Sequence, residues 1–279
     1  MAVQIHTRYS SHPEDVKNYT SEQLREHFLI ENLFEKDGIT GIYSLYDRLI
    51  VGGIFPAFQP VNLDVVDQLK ADYFLERREI GIINIGDAAK VSVEGVEYLI
   101  DHKEALYIGC GVRQVTFYPA DAGNALFYFN AAPAHTPYPT KKISVQEAEK
   151  VEMGSLETSN HRMINKLIVS PLVQTCQLQM GLTELKPGSV WNTMPAHVHD
   201  RRMEAYFYFE LPEDQVVCHY MGQPQETRHI WVSNQQAVIS PNWSIHSGAG
   251  TSNYSFIWGM AGENLDYGDM DPAPASSLR

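Results

Sequence analysis

The sequence predicts a mainly β chain: two small antiparallel β-barrels in tandem, preceded by an N-terminal helical segment. Three features of its 279 residues lead there. Short runs rich in β-branched and aromatic residues alternate with Gly, Pro and polar turns at regular spacing, the texture of a sandwich or barrel. The runs of the first half return in the same order in the second, which reads as a duplicated barrel. A helical period occurs only near the start of the chain.

Residues 1–40 are a polar segment with one helix. SEQLREHFLIEN carries apolar Leu24, Phe28, Leu29 and Leu33, with Ser21 three residues ahead of Leu24. Residues 41–135 hold the first barrel: IYSLYDRLIVGGIFPAF, YFLERREIGIINIG, KVSVEGVEYLI with a turn near Glu94–Gly95, EALYIGCG and RQVTFYPA. Residues 136–170 connect the copies, with more aromatic and basic character than a passive linker, so part of them is expected to line a site. Residues 171–262 repeat the plan. HDRRMEAYFYF answers LERREIGIINI, which places Arg201–Arg202 on Arg77–Arg78, and QAVISPNWSIH answers EALYIGCGVRQ. Chance likeness of β-rich segments is the alternative to duplication. Residues 263–279, acidic and Pro-containing, read as a surface tail.

A formal net charge of −13 argues against nucleic acid or an anionic membrane as a partner held by bulk electrostatics. No apolar run approaches the roughly 18–20 residues that cross a bilayer, and the polar N-terminus has no signal-peptide core. Cys110, Cys176 and Cys218 lack ligand spacing and are odd in number, which fits a reducing cytoplasm.

The chemistry concentrates in Trp191–Phe209, WNTMPAHVHDRRMEAYFYF. In an extended strand His197 and His199 point the same way, and a bend through Asp200–Met203 brings Glu204 back to that side. His246, at the end of AVISPNWSIH, can reach across a small barrel to join them. Three imidazoles and a carboxylate suit a first-row divalent metal and leave positions open for water or substrate. The duplication puts Tyr73, Leu75 and Gln114 opposite the three histidines, so the first copy is expected to be metal-free. The other histidines (His6, His12, His27, His102, His135, His161, His219 and His229) lack partners at ligand spacing and read as hydrogen-bonded or solvated.

His-x-His-x4-Glu followed by Pro-x-Trp-x-x-His resembles the two motifs of the cupin superfamily, making the whole a bicupin. Gly188 stands further upstream than the first motif usually has it, and Trp243 replaces a Gly of the second. The wording goes further. IVGGI, YFLERRE, GIINIG, WNTMP, DRRMEAYFYF, MGQPQETRHI and AVISP-WSIHSG resemble the 5-keto-4-deoxyuronate isomerase family, from about Leu24 to Asn264. That resemblance implies a homohexamer with one zinc ion per chain on His197, His199, Glu204 and His246. It also implies a small uronate substrate, 5-dehydro-4-deoxy-D-glucuronate, whose carbonyl moves from C1 to C2 to give 3-deoxy-D-glycero-2,5-hexodiulosonate. Such substrates arise from uronates released by polysaccharide lyases. Proton transfer between adjacent carbons passes through an enediolate and calls for a Lewis acid and a base; a hydride shift is the competing route.

Glu226 is the candidate base, from a neighbouring strand. Tyr206, like Tyr208, shares alternation with Glu204 and can donate a hydrogen bond inward. For the substrate carboxylate the candidates are Arg162 and Lys166, four apart in TSNHRMINK, together with Arg228 and Lys142, with Lys141 beside it. Arg201 and Arg202 recur in the metal-free copy and are expected to be structural ion-pair partners. Two other functions remain open at this point: a metal-dependent cupin dioxygenase, and a sugar-binding cupin without catalysis.

Overall fold

Turn chemistry sets the first strands. Glu94 and Gly95 take left-handed φ values of 50° and 82°, the backbone that a two-residue hairpin needs to match strand twist. Val93 therefore pairs with Val96, joining strands Ala89–Val93 and Val96–Ile100. Asp47 and Arg48, also at positive φ, turn Gly38–Ser44 back onto Ile50–Phe55. The computed structural model describes residues 3–263 and 266–279, and strands dominate it.

The chain divides into two compact units. The first comprises Asn32–Glu149, the N-terminal strand Val3–Arg8, and Leu167–Met180. The second comprises Tyr9–Glu31, Lys150–Lys166 and Gly181–Arg279. The connecting stretch 136–170 is thus shared between them.

Each unit has a seven-stranded and a four-stranded sheet, with the same strand order except at one edge of the larger sheet, where the last strand comes late in the chain in the first unit and early in the second. In the first, the larger sheet runs Val3–Arg8, Gly38–Ser44, Ile50–Phe55, Phe127–Pro133, Arg78–Asn84, Ala105–Ile108, Lys141–Ile143. In the second it runs Glu149–Met153, Arg162–Ile168, Gln179–Leu185, Ser255–Gly262, Arg202–Phe209, Gln236–Ser240, Leu29–Ile30. The smaller sheets match likewise: Val61–Asn62, Val115–Phe117, Ala89–Val93, Val96–Ile100 against Trp191–Asn192, Ser247–Gly250, Val217–Gln223, Glu226–Val232. Arg78 pairs with Pro133, and Arg202 with Gly262, at the same corner of the ladder. The arginine-on-arginine alignment is therefore also a structural register.

The first unit's core draws on both of its sheets, with Ile50, Ile80, Leu106 and Phe129 meeting Val91, Val115 and Phe117. Each such side chain contributes about 1.5–3 kcal/mol by leaving water. One buried carboxylate also organises this unit. Glu79 is fully buried and accepts from the backbone N–H groups of Cys176, Gln177 and Leu178, each at 2.8 Å, and from the Tyr107 hydroxyl at 2.7 Å.

Near the N-terminus a helix spans Ser21–Phe28, opened by a capping box between Thr20 and Gln23. It is shorter than the apolar spacing suggests. Leu29 leaves the helix in extended conformation, and Leu29–Ile30 pair with Val238 and Ala237 at the edge of the second unit's larger sheet. Burial in a sheet outweighs one more helical turn. No helix among the described residues is long and apolar enough to cross a membrane.

Candidate metal centre

Two short elements and one long strand converge in the second unit. His197 lies in strand Ala196–Val198 and His199 one residue beyond it. The turn at Asp200–Arg201 leads into Arg202–Phe209, every residue of which is buried. Glu204 sits near the start of that strand, between Ser240 on one side and Met260 on the other. His246 immediately precedes Ser247–Gly250, where the preceding turn is closed by Ser244 N–H to the Pro241 carbonyl. His199, Glu204 and His246 are buried and His197 is partly so.

One ligand atom from each of the four falls within 4.8 Å of all the others. His246 Nε2 lies 3.0 Å from His197 Nε2 and 3.0 Å from Glu204 Oε2, and His199 Nε2 lies 3.1 Å from the same oxygen. Tetrahedral zinc with bonds of about 2.0–2.1 Å spaces its ligand atoms about 3.3 Å apart, close to these values. The protonation pattern adds a second argument. His199 Nδ1 lies 2.8 Å from the Asp269 carbonyl, which can only accept, so the ring proton sits there. Nε2 is then the ring nitrogen turned toward the carboxylate oxygen, the side from which an imidazole offers its lone pair to a cation.

Electrostatics keeps the donors ready. Burial, reinforced by His246, pushes the His197 imidazole down to about 2, so it is neutral. For Glu204, burial acts upward, but the His246 and His199 imidazoles outweigh it and hold the carboxyl well below its ordinary range. Neutral nitrogens and an ionised carboxylate are the forms that bind a metal. The donor set therefore fits one divalent ion.

A cavity of about 340 Å³ opens onto His197, His199 and Glu204. Arg162, Thr183, Thr193 and Tyr206 give it polar atoms, and Met153, Ile164, Met194, Pro195, Phe256, Trp258, Met260, Tyr267 and Met270 form the apolar wall. Gly181 makes room for the wall: a Cβ there would lie 2.3 Å from the Trp258 ring. Tyr206 is buried, its hydroxyl is 2.8 Å from the Thr193 hydroxyl, and its ring meets the His246 ring edge-on at 5.2 Å. Burial, with the nearby Glu204 charge, raises its phenol far above the ordinary value, so it is a donor. Arg162 donates to the Asn160 carbonyl at 2.8 Å, and burial lowers its guanidinium from the usual value.

The other candidates fall elsewhere. Glu226 was expected to face the cavity; instead it is exposed and ion-paired with Arg228 at 2.9 Å, and neither is a cavity wall. Both share strand parity with buried Ile230 and Val232, but they stand at the hairpin end, where Gln223 pairs with Glu226 and Arg228 donates to the Lys17 carbonyl. Lys166 lies 4.5 Å over the ring of Tyr267, a wall residue, but does not itself line the cavity. Lys142 belongs to the first unit, paired with Glu104 at 2.6 Å, and Lys141 donates to the Leu172 carbonyl. Tyr208 bonds buried His219 at 2.7 Å and does not line the cavity. Arg201 does form an ion pair, with Asp269, whereas Arg202 donates to backbone carbonyls.

Sequence reasoning missed the chain after 265. Asp271–Ala273 pairs antiparallel with Ala196–Val198, His197 opposite Pro272, and Tyr267 and Met270 are cavity walls. Much of the segment after 265 is exposed, and it is fastened to strand Ala196–Val198. The connecting stretch contributes Met153, Arg162 and Ile164 to the wall.

Comparison with known proteins fits this geometry. The chain is 59% identical over 280 residues to a 4-deoxy-L-threo-5-hexosulose-uronate ketol-isomerase of Formosa agariphila, covering 100% of both. It is 54% identical over 278 residues to the protein of that name from Dickeya dadantii, covering 99% of this chain and 100% of that one. In fold it resembles an IolB-like protein of Salmonella typhimurium, with a TM-score of 0.72 at 16% identity over 86% of this chain and 94% of that one. It also resembles Bacillus subtilis oxalate decarboxylase, with a TM-score of 0.61 at 10% identity over 88% and 79%. With a family match across residues 29–274, the chain belongs to the KduI/IolB family.

Proposed function

We propose that this protein is a metal-dependent aldose–ketose isomerase that converts 5-dehydro-4-deoxy-D-glucuronate to 3-deoxy-D-glycero-2,5-hexodiulosonate. The activity is that for which its full-length relatives are named. The observation that carries the chemistry is the clustering of ligand atoms from three imidazoles and one carboxylate within 4.8 Å of one another, beside a cavity that His197, His199 and Glu204 line. His197, His199, Glu204 and His246 would hold the ion, with zinc the best match to an N3O set that needs no redox change. When bound, it supplies Lewis acidity toward the oxygens of adjacent carbons.

The chain's own residues do the rest. Arg162 takes the terminal carboxylate, a planar fork on a planar anion. Tyr206, kept protonated by its burial, donates to a substrate oxygen beside the reacting carbons, and the Thr193 hydroxyl orients that phenol. Met153, Met194, Met260 and Phe256 keep water from the reacting carbons and offer the deoxygenated C4 an apolar surface. A homohexamer in the cytoplasm, with the site in the second of two cupin barrels, completes the reading.

The test is an assay on freshly lyase-generated deoxy-uronate with metal analysis of the same preparation. A product carrying a 2-keto group, formed without oxygen uptake by protein holding one zinc per chain, is expected. Oxygen consumption, or binding without turnover, overturns the proposal in favour of a dioxygenase or a binding protein.

A further inference from the structure

Arg202 is 1% exposed, and a buried guanidinium is costly unless its donors are filled. Its two terminal nitrogens are filled on the carbonyls of one turn, while Nε is buried without a partner: Nη1 donates to Asp266 O at 3.0 Å, and Nη2 to Tyr267 O at 3.2 Å and Asp269 O at 3.1 Å. The last of these carbonyls is also the acceptor for His199 Nδ1–H, at 2.8 Å. A single oxygen joins the buried cation to a ligand of the metal centre. The first unit supplies the contrast. Its counterpart Arg78, 6% exposed, donates from Nη1 to the carbonyls of Arg48 and Ala131, both 2.9 Å away. Leu75 stands there in place of His199, so that arginine has no ring to hold in place; it also lies over the Tyr43 ring, 5.0 Å from its centroid.

We propose that Arg202 is a positioning residue for the metal centre. Its guanidinium fixes the Asp266–Asp269 turn, so that the Asp269 carbonyl holds His199 in the tautomer and ring orientation that present Nε2 to the ion. The inference rests on the metal reading above. The outer ring nitrogen of a metal-bound histidine is commonly fixed this way, and loss of such a partner costs about 10–100-fold in metal affinity. Here the partner is a carbonyl held by a cation elsewhere in the chain, so the side chain to change is Arg202.

The experiment titrates metal-free protein with cobalt(II) and then zinc, following the visible cobalt bands and the dissociation constants. Arg202→Met is expected to bind about 10–100-fold more weakly with shifted cobalt bands, while its metal-free melting temperature reports whether it is folded. Arg202→Lys, which restores a charged donor, should recover part of the affinity. Arg201→Gln, which breaks only the exposed ion pair with Asp269, should titrate like the parent. A folded Arg202→Met protein with parental affinity and cobalt bands overturns the proposal. Should that variant not fold, histidine 15N spectra of the unsubstituted zinc protein decide. A slowly exchanging proton on His199 Nδ1 supports the proposal, and a proton on Nε2 overturns it. Failure of the parent protein to bind cobalt at all defeats the metal reading itself, which separates the two.

Discussion

The two units run all but an edge strand in the same order, and four positions separate their chemistry. Where the second has His197, His199, Glu204 and His246, register places Tyr73, Leu75, Ile80 and Gln114 in the first. Leu75 and Ile80 are packed into that unit's apolar core. Tyr73 lies under the Arg113 guanidinium, 4.4 Å from ring centroid to cation, and Gln114 is exposed. A strand scaffold can thus carry either a metal site or a filled core at the same corner, and the choice takes only a few side chains. Buried charge moves accordingly. The second unit places its carboxylate at Glu204 among imidazoles, whereas the first has Glu79, one position before Ile80, binding three backbone amides.

The largest break in this comparison should come from removing one imidazole. His246→Ala leaves three ligands and takes away several kcal/mol of charge stabilisation. At 1.36 kcal/mol per tenfold, that is a loss of about a thousandfold or more in turnover. Stoichiometric zinc by elemental analysis should vanish with the activity, while circular dichroism stays that of a β protein. Full activity in a metal-depleted His246→Ala sample would refute the site.

The converse experiment strikes the first unit. Glu79→Ala leaves three buried N–H donors and the Tyr107 hydroxyl without their acceptor. At about 1–3 kcal/mol for each unsatisfied group, partly relieved by relaxation, a loss of about 3–5 kcal/mol is expected. Urea unfolding measures it. Zinc stoichiometry of the protein that remains folded should stay at one per chain, because Glu79 belongs to the unit without the ligand set.

Tyr206→Phe is a smaller change, confined to the second unit. It removes one hydroxyl and keeps the ring beside His246. Loss of a single positioned donor typically costs about 10²-fold in turnover, so kcat should fall by about that factor with zinc content unchanged. A variant that turns over like the parent would move the donor role from Tyr206 to Thr193.

How far the sequence displayed all this follows from distance along the chain. His197, His199 and Glu204 were legible because strand alternation and one bend place them, and alternation is local. His246 became legible through the spacing Pro-x-Trp-x-x-His and the reach of a strand end across a small barrel, and the repeat served only to set Gln114 opposite it. The hairpin at Glu94–Gly95 was equally plain. Glu226 misled because parity says which face a residue takes and not whether the cavity extends to the hairpin end where it stands. The contributions of Asp269, Tyr267 and Met270 had no local signal, because an acidic, Pro-containing stretch reads as tail until its partner, some 70 residues earlier at His199, is known. Arg202 looked like an ion-pair residue because composition cannot distinguish a carboxylate partner from a row of carbonyls.

The finest test of the comparison has the smallest expected effect. Gln114→Ala alters the position that corresponds to His246, yet the side chain is exposed, and it is the backbone N–H of Gln114 that bonds the Glu94 carboxylate, at 3.0 Å. Stability should change by no more than about 0.5 kcal/mol, as for other surface sites, and zinc should remain at one per chain. The reverse substitution is more searching. Gln114→His restores one imidazole, but Leu75 and Ile80 still fill the space where two other ligands would stand, and a lone exposed histidine does not make a closed set. Elemental analysis should again return one zinc per chain. Two would mean that the first unit keeps a binding site assembled from residues outside these four positions, and the contrast between a metal corner and a filled one would fail.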